Sequence, residues 1–395
     1  MNILVVTPLY PDLKRTRRID KSWAIHNFVK YWSSSQSVFV INVNNFGLRK
    51  IFRFFTLNSR YLFEDVEVRG VPLLSIDFSG KKTTALSGRI SERFLKKKGF
   101  IPDVIVSHCA SGHLVAEEIK RYYPEARRVC GIHKADISKI GKGERDYLEC
   151  FRHADLIACR SFSIERLYRR IMIPEPLPDN LFITHSGIGR HFVESPERIQ
   201  KKSERMKLPV KIVTVSSLIP RKKIDVILRA LAELKELEWE FQIIGEGRER
   251  NRLERLTEEL NIRTRVSFAG YLKHPDVALE LWKSDLFILV SERETFGLVY
   301  LEAMAKGCVV IGAKDWGIDG IVKNRENGFL CKTDSTADIR SILEEVLIFS
   351  QEEWQKYISA SYDTALQYEE EKIADRYLAR IAGIVNKSSS PSQPR

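Results

Sequence analysis

Two glutamates, Glu294 and Glu302, are separated by seven residues within the stretch 287-FILVSERETFGLVYLEAMAKGCVVIG-312. Between them Thr295, Phe296 and Gly297 form a turn signal that feeds a helical pattern. Ionised carboxylates accept several hydrogen bonds each, so the pair suits a site that grips polar groups; it equally suits the two ends of a surface helix. Spacing alone does not decide. A second candidate is 215-VSSLIPRKKIDVILRAL-231, where Arg221, Lys222 and Lys223 lie between a strand pattern and a helix pattern. Cations beside a helix N-terminus favour a diphosphate, because ammonium groups and uncapped amides both attract anions. A solvated basic loop accounts for the same residues equally well. The third is 243-IIGEGRERNRLERL-256, with Gly245, Glu246 and Gly247 directly after a strand pattern. The third glycine of a dinucleotide fingerprint is missing, so this turn is read as one that lets backbone approach a ligand, not as an NAD site.

Elements must hold these residues in place. Continuous apolar runs occur at 2–7, 37–43, 103–108, 127–132, 155–159 and 181–186, separated by amphipathic helical patterns at 20–32, 111–123 and 161–171. The same grammar restarts with apolar runs at 211–217, 240–245, 265–270, 285–290 and 308–312. Helical patterns fall at 223–236, 247–260, 275–283, 297–306, 337–348 and 352–384. Runs that are apolar throughout imply burial on both faces, which predicts parallel sheets covered by helices. The polar stretch 189–209, with two prolines, reads as a linker. The expectation is two doubly wound, Rossmann-like α/β domains, 1–200 and 201–365. Ligands in such folds bind outside the carboxyl ends of the strands, here in a cleft between facing domains.

At 395 residues the chain is too long for one ordinary core. With 44% apolar and 29% charged residues it has the composition of a globular protein, and no apolar run approaches the ~20 residues of a membrane span. The opening MNILVVTPLYPD reads as a buried strand, not a signal peptide, so a cytoplasmic location is expected. Six scattered cysteines without a C-x-x-C pair read as reduced buried thiols, against a zinc cluster or a disulfide framework. The net charge of +12 is unevenly placed: residues 1–100 carry 18 Lys and Arg against 7 Asp and Glu.

Five blocks in order across residues 211–331 carry a family resemblance: SSLIPRKKID, IIGEGRERNRLERL, RVSFAGYLKHPDV, DLFILVSERETFGLVYLEAMAKGCVVI and WGIDGIV…ENGFL. Together they resemble the retaining, nucleotide-sugar-dependent glycosyltransferases of the GT-B fold, family 4 (group 1). MNILVVTPLYP, GIHKAD, ADLIACRS and HSGI resemble that family's acceptor-side N-terminal domain more loosely. The resemblance implies that Glu294 holds hydroxyls of the donor sugar and Glu302 the ribose hydroxyls of the nucleotide. It implies that amides of Phe296, Gly297 and Leu298 meet sugar and phosphates, with Gly245 and Glu246 also at the donor. Lys222 would neutralise the diphosphate leaving group, and His133 would reach the sugar from the other domain; a satisfied core histidine is the alternative for His133. A C-terminal helix over 366–387 is expected to pack back on the N-domain, followed by a disordered tail at 388–395. Three departures from the family stand out. Ser217 replaces an arginine, which shifts weight to Lys222 and Arg221; Gly320 replaces a carboxylate; and loop 11–23 lacks paired glycines.

The implied activity is transfer of a sugar, from a UDP-sugar, to a glycan or lipid-linked glycan, as in bacterial polysaccharide biosynthesis. A sugar-nucleotide epimerase and a non-catalytic nucleotide-sugar or glycan-binding module are the alternatives. No D-x-D tripeptide occurs, so no metal and no cofactor is expected. The basic–aromatic segments 46–63 and 89–100 suit an anionic membrane surface at the inner face of the plasma membrane, or equally a packed helix with a solvated face. No nucleic-acid motif accompanies the charge.

Overall fold

A computed structural model describes residues 1–11, 23–46, 59–74, 80–140, 145–172, 180–204 and 208–386. Its first sheet contains β1 (Asn2–Thr7), β2 (Ser37–Phe46), β3 (Arg60–Phe63), β4 (Val66–Leu74), β5 (Val104–His108), β6 (Arg127–Ile132), β7 (Leu156–Cys159) and β8 (Leu181–Ile183). Their spatial order is β3-β4-β2-β1-β5-β6-β7-β8, parallel except for the β3–β4 pair. β5 and β7 are buried at every residue, as the unbroken apolar runs require of strands covered on both faces. The β3–β4 hairpin turns through Glu64 and Asp65, both at positive φ (43° and 65°), the backbone that a two-residue hairpin demands. The sequence reading did not find this hairpin, because edge strand β3 is half exposed, and of the helix Gly80–Lys98 that follows it read only the stretch 89–100, since the helix is largely polar.

The second sheet contains β9 (Val210–Val215), β10 (Trp239–Ile244), β11 (Val266–Gly270), β12 (Leu286–Leu289), β13 (Val309–Ala313) and β14 (Phe329–Cys331). All its pairs are parallel, in the order β11-β10-β9-β12-β13-β14. The two Rossmann-like units expected from the apolar runs are therefore present. One unit comprises residues 1–160, 164–185 and the helix Glu370–Asn386; the other comprises 161–163 and 186–369.

The division falls at Ser186, not near residue 200. Stretch 189–209, read as a linker, carries the helix Pro196–Ser203. Ser195 caps it by accepting from the Arg198 amide, and Pro196 starts it, a start signal that polarity masked. Ile199 of this helix is buried in the second unit's core, which ties the segment to that unit. The pattern at 352–384 resolves into two helices, Gln351–Leu366 and Glu370–Asn386. The latter packs on helix Trp23–Trp32 within the first unit, where the Trp32 indole donates to the Ala374 carbonyl at 3.0 Å. Among the described residues no helix is long and apolar enough to cross a membrane.

Candidate active site

In the second sheet the strand order reverses between β9 and β12. Loops leaving neighbouring strands there diverge to opposite faces and open a crevice, the usual ligand position in this architecture. The sequence places its cations after β9 and its first glutamate after β12. Lys222 Nζ lies 2.5 Å from Glu294 Oε2, although 72 residues separate them. Arg221 Nη1 approaches the same oxygen at 3.4 Å and donates to the Ser291 hydroxyl at 3.2 Å, while Ser291 donates to Glu294 at 3.1 Å. Burial pushes the Glu294 carboxyl up, but the Lys222 ammonium, with Arg221 and Ser291, outweighs it and holds the group below its ordinary range. Lys222 is itself buried, so charge and countercharge share a poorly solvated position.

Backbone contacts lock the two loops together. The Glu292 amide donates to the Arg221 carbonyl at 2.9 Å, and the Gly317 amide to the Glu294 carbonyl at 3.0 Å. Lys223, left-handed at φ 52°, turns its ammonium away from Glu294 to Glu292 (2.9 Å) and Asp334 (2.5 Å). Gly297, at φ 79°, then starts the helix Leu298–Ala305, whose first amides carry no side-chain cap. Glu302 lies on this helix, 8% exposed, with Oε1 3.2 Å from His274 Nε2. The two glutamates thus have different partners: cations for Glu294, an imidazole for Glu302. Partly buried cations beside uncapped amides suit a polyanion, and a shielded carboxylate beside them suits hydroxyl groups.

Residues 195–363 match the family model of glycosyl transferases group 1. The matched residues lie within the second unit, which is similar to the group 1 glycosyltransferases. Over 169 residues the chain is 31% identical to N-acetyl-alpha-D-glucosaminyl L-malate synthase of Bacillus anthracis, covering 42% of this chain and 43% of that protein. It is 24% identical over 261 residues to the amylovoran biosynthesis glycosyltransferase AmsK of Erwinia amylovora, 62% of each chain. These alignments span about half to two thirds of the relatives' own length. Among solved structures, Anabaena HepE in complex with UDP aligns over 97% of this chain and 100% of its own, at a TM-score of 0.69 and 16% identity. That likeness establishes the fold, the one found in GT-B glycosyltransferases, over both units.

Within the second unit the structure brings together Lys222, Arg221 and Glu294, and places Glu302 on the adjoining helix. It does not bring the Glu246 carboxylate to them; Arg250 Nη1 binds that carboxylate at 2.5 Å. The Gly245 and Gly247 turn approaches its neighbouring loop: an added Cβ on Gly245 would lie 1.8 Å from the Ser216 carbonyl oxygen, and one on Gly247 2.2 Å from that of Leu218. Phe296 is buried in the core, so any contact it offers a ligand comes from its backbone. In the first unit His133 follows β6, half-buried, with Nε2 3.1 Å from His108 Nδ1. Its amide donates to Asp136 Oδ2 at 2.7 Å, and burial together with Arg160 and His113 pushes its imidazole well down, to the neutral form. Loop 11–23, apart from its first and last residues, and the segment 47–58 lie outside the described residues. Sequence reasoning missed Ser291, Gly317 and His274. Gly317 and His274 reach their partners only through the tertiary fold, whereas Ser291 lies three residues before Glu294.

Proposed function

We propose that this chain is a retaining glycosyltransferase that moves a sugar from a nucleotide-sugar donor, taken as a UDP-sugar, to a glycan or lipid-linked glycan. The observation that carries the reading is the Lys222–Glu294 pair, set at the strand-order reversal beside an uncapped helix N-terminus. The polysaccharide-biosynthesis relative and the UDP complex of a structural neighbour support it. Lys222 and Arg221 would take up the charge that develops on the departing diphosphate, with amides of Phe296, Gly297 and Leu298 directed to the same oxygens. Glu294, released from Lys222 as the diphosphate claims the cation, would accept from the sugar hydroxyls, and Glu302 from the ribose. The bond between the anomeric carbon and the phosphate oxygen breaks as the acceptor oxygen bonds on the same face. The acceptor's proton passes to the leaving phosphate, so the two glutamates need not act as a glycosidase pair. His133 is assigned a contact with the donor sugar, and catalysis is assigned no metal and no cofactor.

The deciding experiment is a thermal-shift panel of the full chain with UDP, UDP-glucose, GDP-mannose and NAD, since ligand that binds the folded state raises the midpoint. A rise with UDP and UDP-glucose alone is expected. Activity that survives EDTA would support the metal-free assignment, and no shift with any nucleotide would overturn the donor reading.

A further inference from the structure

Glu302 has a neighbour that the family motif does not assign. His274 is the first residue of helix His274–Lys283, and its Nε2 lies 3.2 Å from Glu302 Oε1. The glutamate side chain is 10% exposed and the histidine side chain 59% exposed, so the imidazole reaches from a shielded carboxylate out to solvent. Phe192 and His191 pack edge-on against the imidazole, with ring centroids 4.6 and 5.8 Å away, which restricts its swing. Lys306, one turn further along the helix of Glu302, is engaged with Glu194 at 2.6 Å. Glu302 therefore meets an imidazole donor held by aromatic packing.

We propose that His274 is a positioning residue for nucleoside recognition: its Nε2–H fixes one oxygen of Glu302 so that the other accepts from the vicinal hydroxyls of a ribose. The proposal rests on the reading of Glu302 as the ribose contact. A carboxylate free to rotate would lose side-chain freedom on binding; one already held by a donor has less to lose and keeps its second oxygen aimed. Chelation of neighbouring hydroxyls demands that orientation, whereas simple charge attraction does not. His274 thus helps the site tell a ribonucleotide from a deoxyribonucleotide without itself touching the reacting atoms.

The test is calorimetric titration of the full chain with UDP and with 2′-deoxy-UDP, for the parent, His274→Ala, His274→Gln and Glu302→Ala. The parent is expected to prefer UDP. His274→Ala should weaken UDP binding about tenfold, the scale of one charged hydrogen bond, and leave 2′-deoxy-UDP nearly unchanged. His274→Gln, which keeps an N–H donor, should restore part of the preference. A merely structural role would weaken both nucleotides equally. If His274→Ala discriminates like the parent while Glu302→Ala does not, the positioning role is overturned and the ribose reading stands. If Glu302→Ala also discriminates like the parent, or the parent binds neither nucleotide, the ribose reading falls and the proposal with it.

Discussion

Lys222 and Glu294 meet through one carboxylate oxygen, and what each does when a donor arrives can be separated by substitution. Glu294→Gln keeps the shape and removes the charge that would grip sugar hydroxyls. Turnover should fall about a hundredfold, the order of one lost preorganised contact, while UDP affinity holds, as read by steady-state kinetics beside titration. Glu302→Ala should do the reverse, weakening UDP by about 1–3 kcal/mol with a smaller effect on the saturated rate. Variants that both bind and turn over like the parent would sink the two assignments. At this scale the sequence singled out both carboxylates and the cations, and the structure brings Lys222 and Arg221 to Glu294. It could not say that Glu294 spends its oxygen on Lys222, Arg221 and Ser291. The bonds to Lys222 and Arg221 span more than 70 positions and leave no periodicity to read.

Elements decide how the first unit responds to pH. His113, on helix Cys109–Lys120, is buried with Nδ1 2.8 Å from the Ser107 hydroxyl of β5 and Nε2 3.9 Å from Asp136 Oδ2 on helix Lys134–Ile140. Burial opposes its charge, but Asp136 and Cys130 outweigh burial and push the imidazole up to about 9 from 6.5. A group raised on folding stabilises below its unfolded value and loses that contribution as pH rises through the folded one. The melting midpoint should therefore decline between pH 6.5 and about 9, and His113→Gln should flatten that slope; an unchanged slope in the variant would refute the assignment. The same scale shows where sequence patterns sufficed. Buried strands such as β1, β5 and β12 announced themselves as unbroken apolar runs. Helix Pro196–Ser203 did not, since eight mostly polar residues bury only Ile199 and Ser203. Its capping residues were the available signal.

Across the whole molecule the basic excess of residues 1–100 has part of its place on helix Gly80–Lys98. Arg89, Arg93, Lys96, Lys97 and Lys98 are exposed there, with Lys98 drawn to Glu67 at 2.8 Å. Such a face attracts an anionic bilayer by about 1 kcal/mol per cation near the surface. Sedimentation with phosphatidylserine vesicles should carry the protein down at low salt and release it at high salt; no binding at low salt would overturn the expectation of a membrane surface. By itself, the sequence determined the fold class and the residue types at the candidate site. Those properties follow from hydrophobic periodicity and local motif chemistry, which neighbouring residues carry together. Only the tertiary structure decided the division at Ser186 and the partners of Glu294 and Glu302. Those depend on which distant strands become neighbours, and burial, charge pairing and hydrogen bonding act on positions in space, whatever the separation along the chain.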